Sequence, residues 1–517
     1  MSTIELTLYL IAVVIALTAV SRKLSVSTPI AMVLGGLIVS FVPGVPELEL
    51  PPDLVFLGFL PPLLFAGGYF TSTREFKANL RSIVLLAFGL VIFTATAVAL
   101  VSHELVPQLG WAGAFALGGI VAPPDAVAAT AIFQRLGVPR RVVTILEGES
   151  LVNDATALII YRFAIVAAAV GTFSLVEASG TFVFVLVGGI AVGFLVGYAV
   201  DVLASKVTDT ALAVAITLIA PYAAYLPAES VGVSGVLAAV VGGLWARHAM
   251  RHTSSDTRVV GAAVWQIWLF LLNGLVFFLL GMQLPTVVRR VQASNGGDVV
   301  FTTAAIVLTV VVSRIVWVFP GAYAPHLVPF VRRRETRPRW QGVAVVSWSG
   351  LRGVVSLAAA LALPETFPAR DLILLFTFVV ILVTLVGQGL TLPLVIRMLG
   401  LAPEADPAHA EAHARALTAE AALRRVDELA EEFPNHKPLL NTLRTQYEHR
   451  ASHAESHHDD AVGAEEEELL EHTQMRREVI EAERRAAFDL HARGVIDDGI
   501  LRRIERDLDL EELRMEA

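Results

Sequence analysis

The stretch "EGESLVNDATALIIYRF", residues 147–163, puts Glu147, Glu149, Asn153, Asp154 and Arg162 inside an otherwise apolar run. A charge in hydrocarbon costs about 3 kcal/mol or more unless it is paired, hydrated or functional. At about 100° per residue, Glu149, Ser150, Asn153 and Asp154 share one helical stripe, while Leu151, Val152, Ala155 and Leu158 lie elsewhere. A further acid, Asp125, follows Pro123 and Pro124 in "APPDAVAAT", and Arg352 stands between glycines in "SWSGLRGVVS". Carboxylate, hydroxyl and carbonyl oxygens are the donors hard cations prefer. A carboxylate withdrawn from water can also hold a proton near neutral pH. Residues of these types can therefore build a site that takes either a cation or a proton.

The elements that position them are membrane spans. The chain has 517 residues, 55% hydrophobic and 17% charged, too apolar for one water-soluble core. Thirteen apolar segments run from 4–20 to 371–397, each near the length a hydrocarbon layer of about 30 Å requires. The fifth covers 111–134, the sixth 141–169 and the twelfth 341–363. At about 1.5 Å per residue, Asp154, Asp125 and Arg352 lie roughly 20, 21 and 17 Å from the ends of their spans. Three ionisable groups from three spans are thus expected near the midplane.

Loop charge sets the orientation. Alternate loops hold Arg22 and Lys23; Arg74, Lys77 and Arg81; Arg135, Arg140 and Arg141; Lys206; Arg247, Arg251 and Arg258; and the arginines of 332–339, with Arg289 and Arg290 breaking the pattern. Basic loops face the cytoplasm, which predicts an outside N-terminus, a cytoplasmic C-terminus and a multi-pass protein of the cell membrane. The first apolar run lacks a basic leader and a small-x-small cleavage site, so it reads as a retained span. The chain has no cysteine, which excludes disulfides, thiolate metal sites and cysteine nucleophiles.

Residues 1–400 form the membrane domain, with 24 basic and 19 acidic residues; residues 401–517 form an acidic helical cytoplasmic domain, with 29 acidic and 15 basic. The acid-rich "ASHAESHHDDAVGAEEEE" reads as a solvated link in this tail. Spans five and twelve are both expected to be broken, by Pro123 and Pro124 and by Gly350 and Gly353. Breaks at depth are tolerated where freed backbone lines a cavity, and a pair in corresponding halves points to a transport site. If spans one to six repeat, inverted, as eight to thirteen, five corresponds to twelve; this match is positional, without a repeat of letters. Polar glue between helices, worth about 1 kcal/mol or less per contact, fits an Asn or a Ser. It fits poorly two aspartates, a glutamate and an arginine beside two breaks.

The motifs "PPDAVAATAIFQRLGVP", "TILEGESLVNDATALI" and "GLRGVVSLAAAL", with "LPPLLFAGG" at 60–68 and "FFLLGMQL" at 277–284, resemble the NhaP-like monovalent cation:proton antiporters. The resemblance covers spans three to thirteen and includes the helical tail. It implies an all-α fold of about thirteen membrane helices with inverted repeats, a core bundle moving against a dimerisation bundle, and a homodimer. It also implies Na+, K+ or Li+ exchange for protons, one for one, with no cofactor. Asp154 would bind proton or cation beside Asp125, with Ser150 and the Pro124 carbonyl as further oxygen ligands. Asn153 would brace the site and Glu149 would pair with Arg352. Here Ala126 follows the span-five aspartate where the family often has proline, and Phe65 and Ala66 stand where an acid often helps the site.

Arg162 is expected to reach the outer interface, and Glu147 lies nearer the cytoplasmic mouth without a role. Membrane lipid and a second copy are the expected partners, nucleic acid is not, and the tail has a regulatory ligand unassigned. Rival readings are an intramembrane aspartyl protease, which also uses two aspartates, and a cation channel or flux-dead pH or ion sensor of the same fold. The protease motifs "YD" and "GxGD" are absent, so the chain is not read as an enzyme.

Overall fold

The computed structural model describes residues 3–24, 26–42, 51–170, 175–249, 253–292, 299–334, 337–401, 407–456, 462–493 and 495–516. Their regular elements are all helical. The side chains of the histidine-rich stretch at 453–458, and those of Arg289 and Arg290, lie outside the described residues. The chain divides into two compact units, Met1–Pro403 and Glu404–Ala517.

In the first unit the helices of eight residues or more are α1 (Thr3–Leu24), α2 (Thr28–Ser40), α3 (Leu54–Phe70), α4 (Leu80–Leu105), α5 (Gly110–Val121), α6 (Ala126–Leu136), α7 (Arg140–Val170) and α8 (Leu175–Lys206). They continue with α9 (Thr210–Ser230), α10 (Gly235–Ala249), α11 (Ser255–Gln292), α12 (Val299–Tyr323), α13 (Trp340–Trp348), α14 (Val354–Leu361) and α15 (Arg370–Met398). Among the described residues, eight helical stretches are long and apolar enough to cross a membrane, the stretch Pro107–Leu136 counted as one of them. Residues 122–125 separate α5 from α6, and residues 349–353 separate α13 from α14, without regular helix.

Local chemistry explains the interruptions. Pro123 and Pro124 bring no amide hydrogens, so the α5 ladder cannot continue through them. Asp125 then caps the new helix, its side chain accepting from the Val127 N–H. The α6 helix ends at Gly137, whose φ of 64° is left-handed and suits glycine.

Close helix packing follows a reciprocal glycine pattern. A Cβ on Gly36 of α2 would fall 2.1 Å from the Phe278 carbonyl oxygen of α11, and one on Gly281 of α11 would fall 2.1 Å from the Val33 carbonyl oxygen of α2. The pair α3 and α10 repeats this: Gly243 would meet the Phe65 oxygen at 2.1 Å and Gly68 the Val240 oxygen at 2.2 Å. Small residues let helix backbones meet, a principal device of membrane packing. "VLGGL" at 33–37 and "VVGGL" at 240–244 occupy matching places in the two pairs. The two stretches share four letters of five, a likeness that gains meaning only once their helix partners are known.

The second unit contains two helix pairs, α16 (Pro407–Glu432) with α17 (Lys437–Ser456) and α18 (Val462–Ala492) with α19 (Asp498–Glu516). Ala416, Ala419, Val426 and Leu440 are buried in the first pair, and Ile480, Ala487, Leu501 and Leu508 in the second. Arg484 reaches Asp509 at 2.8 Å and Glu512 at 3.0 Å. The bond from Arg484, with the nearby Arg477 guanidinium, holds the Glu512 carboxyl below its ordinary range.

Candidate ion-binding site

The site forms where the two non-helical segments meet. The Asp125 backbone N–H donates to the Leu351 carbonyl at 2.7 Å, joining residues 122–125 to residues 349–353. Its Oδ1 accepts from the Val127 N–H at 2.8 Å, and the Val354 N–H bonds the same carboxylate. Asp125 is thus seated at the first turns of α6 and α14, where unpaired amides and the helix dipole favour negative charge. Gly353 makes the approach feasible: a Cβ there would fall 1.8 Å from Asp125 Oδ2.

The stripe on α7 faces this crossing. Ser150 Oγ accepts from the Ala126 N–H at 3.3 Å, and Asn153 Nδ2 donates to the Pro124 carbonyl at 2.9 Å. Each bond satisfies backbone freed by the break, and each acceptor oxygen keeps a second lone pair. Asn153 is fully buried and its Oδ1 has no hydrogen-bond partner among the described residues. Asp154 is 7% exposed, within electrostatic reach of Asp125, and accepts no hydrogen bond among the described residues. Asp125, Asp154, Ser150 and the Pro124 carbonyl offer only oxygen atoms, the donor type that hard cations prefer.

The expected pairing of Glu149 with Arg352 is not what the structure contains. Glu149 is fully buried and pairs with Arg314 of α12, Oε1 to Nη1 at 2.6 Å and Oε2 to Nη2 at 2.8 Å. The third donor, Arg314 Nε, reaches the Val346 carbonyl of α13 at 3.0 Å. One planar guanidinium thus occupies both carboxylate oxygens, leaving no bidentate place for a second. Gly350 admits this arginine, since a Cβ there would lie 2.6 Å from Arg314 Cδ.

Arg352 is 1% exposed; its backbone N–H donates to Thr384 Oγ1 at 3.1 Å, while Nε and Nη1 have no hydrogen-bond partner among the described residues. Glu149 remains within its electrostatic reach. Arg314 is the residue of this junction that sequence reasoning missed. Its signal was available: in "VVSRIVW" it lies about 21 Å into its apolar segment by the same rise per residue.

The remaining charges of the opening stretch lie away from the crossing. Arg162 forms an ion pair with Glu229 at the end of α9, and Glu229 also accepts from the Gly235 N–H at 3.0 Å. Glu147 is half-buried and faces Glu75, which accepts from Thr144 Oγ1 at 2.9 Å.

Apolar helices crossing a membrane, with carboxylates gathered at a junction of non-helical backbone, define a polytopic transport protein. A family model described as "Sodium/hydrogen exchanger, transmembrane" matches residues 9–398, and the chain belongs to that family. Its activity is the exchange of a monovalent cation for protons.

An uncharacterized Na+/H+ exchanger of Mycobacterium tuberculosis is 35% identical over 98% of this chain and 95% of its own. A sodium, potassium, lithium and rubidium/H+ antiporter of Bacillus subtilis is 34% identical over 76% of this chain and 61% of its own. Among solved structures, the sodium proton antiporter MjNhaP1 of Methanocaldococcus jannaschii has a similar fold, with a TM-score of 0.59 and 18% identity over 77% of this chain and 99% of that one.

Proposed function

We propose that exchange proceeds by competition of one monovalent cation and one proton for the Asp154–Asp125 site, with access alternating between the two sides of the membrane. The observation that carries this reading is Asp154 itself: a buried carboxylate beside Asp125 that accepts no hydrogen bond among the described residues. Cation and proton each neutralise it, so only a loaded site loses the charge that opposes movement through a low-dielectric layer. Ser150 and the Pro124 carbonyl complete the ligand set, and Asn153 holds the break open. The two acids titrate as a pair. Because Asn153 carries no proton and Glu149 is neutralised by Arg314, one charge is exchanged for one.

Na+, K+ and Li+ are all hard cations that this oxygen set can accept, a breadth in keeping with the name of the Bacillus subtilis relative. The membrane unit has thirteen spans, with spans five and twelve broken at residues 122–125 and 349–353. The two glycine-locked pairs support an inverted repeat. The N-terminus lies outside, the tail lies in the cytoplasm, and two copies associate in the cell membrane.

The test is proton movement in vesicles reconstituted with the full chain, on addition of Na+, K+ and Li+ in turn. Saturable proton movement that requires the cation is expected. Proton flux that follows voltage without a counter-cation would favour the channel reading, and none with any cation would favour the sensor.

A further inference from the structure

The peptide group between Leu351 and Arg352 is held at both ends. Its carbonyl accepts the Asp125 N–H at 2.7 Å, and its N–H donates to Thr384 Oγ1 at 3.1 Å. Neither bond belongs to a helix, and both cross between segments distant in sequence. Thr384 is fully buried and donates its own hydroxyl hydrogen to the Val380 carbonyl at 2.7 Å, which leaves a lone pair directed at Arg352. Thr309 of α12, by contrast, bonds only back to Ala305 of its own helix.

Thr384 also stands in a special place on its helix. Residues Val383–Gln388 form a wide turn in α15, in which the hydrogen-bond ladder loosens from i+4 to i+5. Such turns are rare and gather at functional sites; the described residues include two others, at Leu54–Phe59 and Leu85–Leu90.

We propose that Thr384 is a positioning residue for the ion site, acting through the Leu351–Arg352 peptide group on Asp125. A peptide whose N–H is engaged has a more strongly accepting carbonyl, because bonds in series polarise one another. Thr384 therefore fixes the plane of this peptide and strengthens the bond that anchors the Asp125 backbone. The Asp125 carboxylate follows from that anchor by covalent geometry. Without the hydroxyl, the peptide can rotate and the carboxylate loses its fixed relation to Asp154. This inference rests on the reading of Asp125 and Asp154 as the cation site.

The experiment uses full-length protein in vesicles, titrated with Na+ across a pH series. Thr384→Val removes the hydroxyl and keeps the branched shape; Thr384→Cys keeps the size with a weak acceptor; Thr384→Ser keeps the hydroxyl. Val and Cys are each expected to raise the half-saturating Na+ concentration about tenfold, the effect of one lost buried hydrogen bond, and to displace the pH profile. Ser is expected to stay within about twofold of the parent, since it retains the acceptor.

Should the valine variant fail to fold, the contrast between Cys and Ser decides. Parental half-saturation and pH profile in the valine or cysteine variant would overturn the proposal, as would equal impairment in the serine variant. Asp154→Asn, measured alongside, separates the two layers. Exchange surviving there would remove the site reading, whereas silence there with parental values in the Thr384 variants would remove only this inference.

Discussion

Asp154→Asn is expected to yield folded protein whose cation-dependent proton movement in vesicles falls at least about 100-fold, the consequence of losing a group that acts in every turnover. The substitution is nearly isosteric, and the Asp154 carboxylate accepts no hydrogen bond among the described residues, so folding loses no bond with it. Asparagine brings neither the charge that replaces part of a cation's hydration nor an atom that takes up a proton near neutral pH. Both half-reactions should therefore stop together. Gel filtration and thermal unfolding in detergent check the fold, and flux checks the function. Exchange retained in this variant would move the site elsewhere.

The second large effect is on stability. Arg314→Met is expected to lower folded protein sharply, because it leaves the Glu149 charge buried and unpaired. Breaking a buried pair by removing one partner costs about 3–5 kcal/mol, a large fraction of the roughly 5–15 kcal/mol that holds a domain folded. Arg352→Met should cost less, since Arg352 holds no carboxylate by hydrogen bond among the described residues and its link to Thr384 runs through the backbone. Glu149→Gln combined with Arg314→Met should recover part of the loss, as expected for two groups that are coupled. Yield and unfolding temperature of the three variants decide it. Equal damage from Arg352→Met and Arg314→Met would contradict the observed pairing.

The sequence made parts of this arrangement legible and hid others, for physical reasons. Helical periodicity puts Ser150, Asn153 and Asp154 on one face, and their side chains do meet or approach the 122–125 segment. Proline chemistry located the end of α5, because missing amides end a helix wherever they occur.

The partner of Glu149 was not legible. Spacing fixes the side of a helix a residue occupies but not which neighbour faces it, and two arginines of similar depth were available. Arg314 is inconspicuous because no glycine or proline lies within five residues of it, whereas Arg352 is framed by both Gly350 and Gly353. The repeat of "VLGGL" as "VVGGL" gained meaning only from the carbonyls that Gly36 and Gly243 face across the helix contacts. Thr384 carries no signal in the sequence, since the peptide group it bonds lies more than thirty residues away.

The most direct test of the central claim is competition itself. In vesicles bearing the full chain, exchange rate is measured against Na+ concentration at several pH values on the side of addition. If cation and proton share the Asp154–Asp125 site, the half-saturating Na+ concentration rises as pH falls, approaching about tenfold per pH unit where the site is mostly protonated, while the maximal rate reached at saturating Na+ is unchanged. A half-saturating concentration independent of pH, with protons altering only the maximal rate, would show that the two ions do not compete for one site.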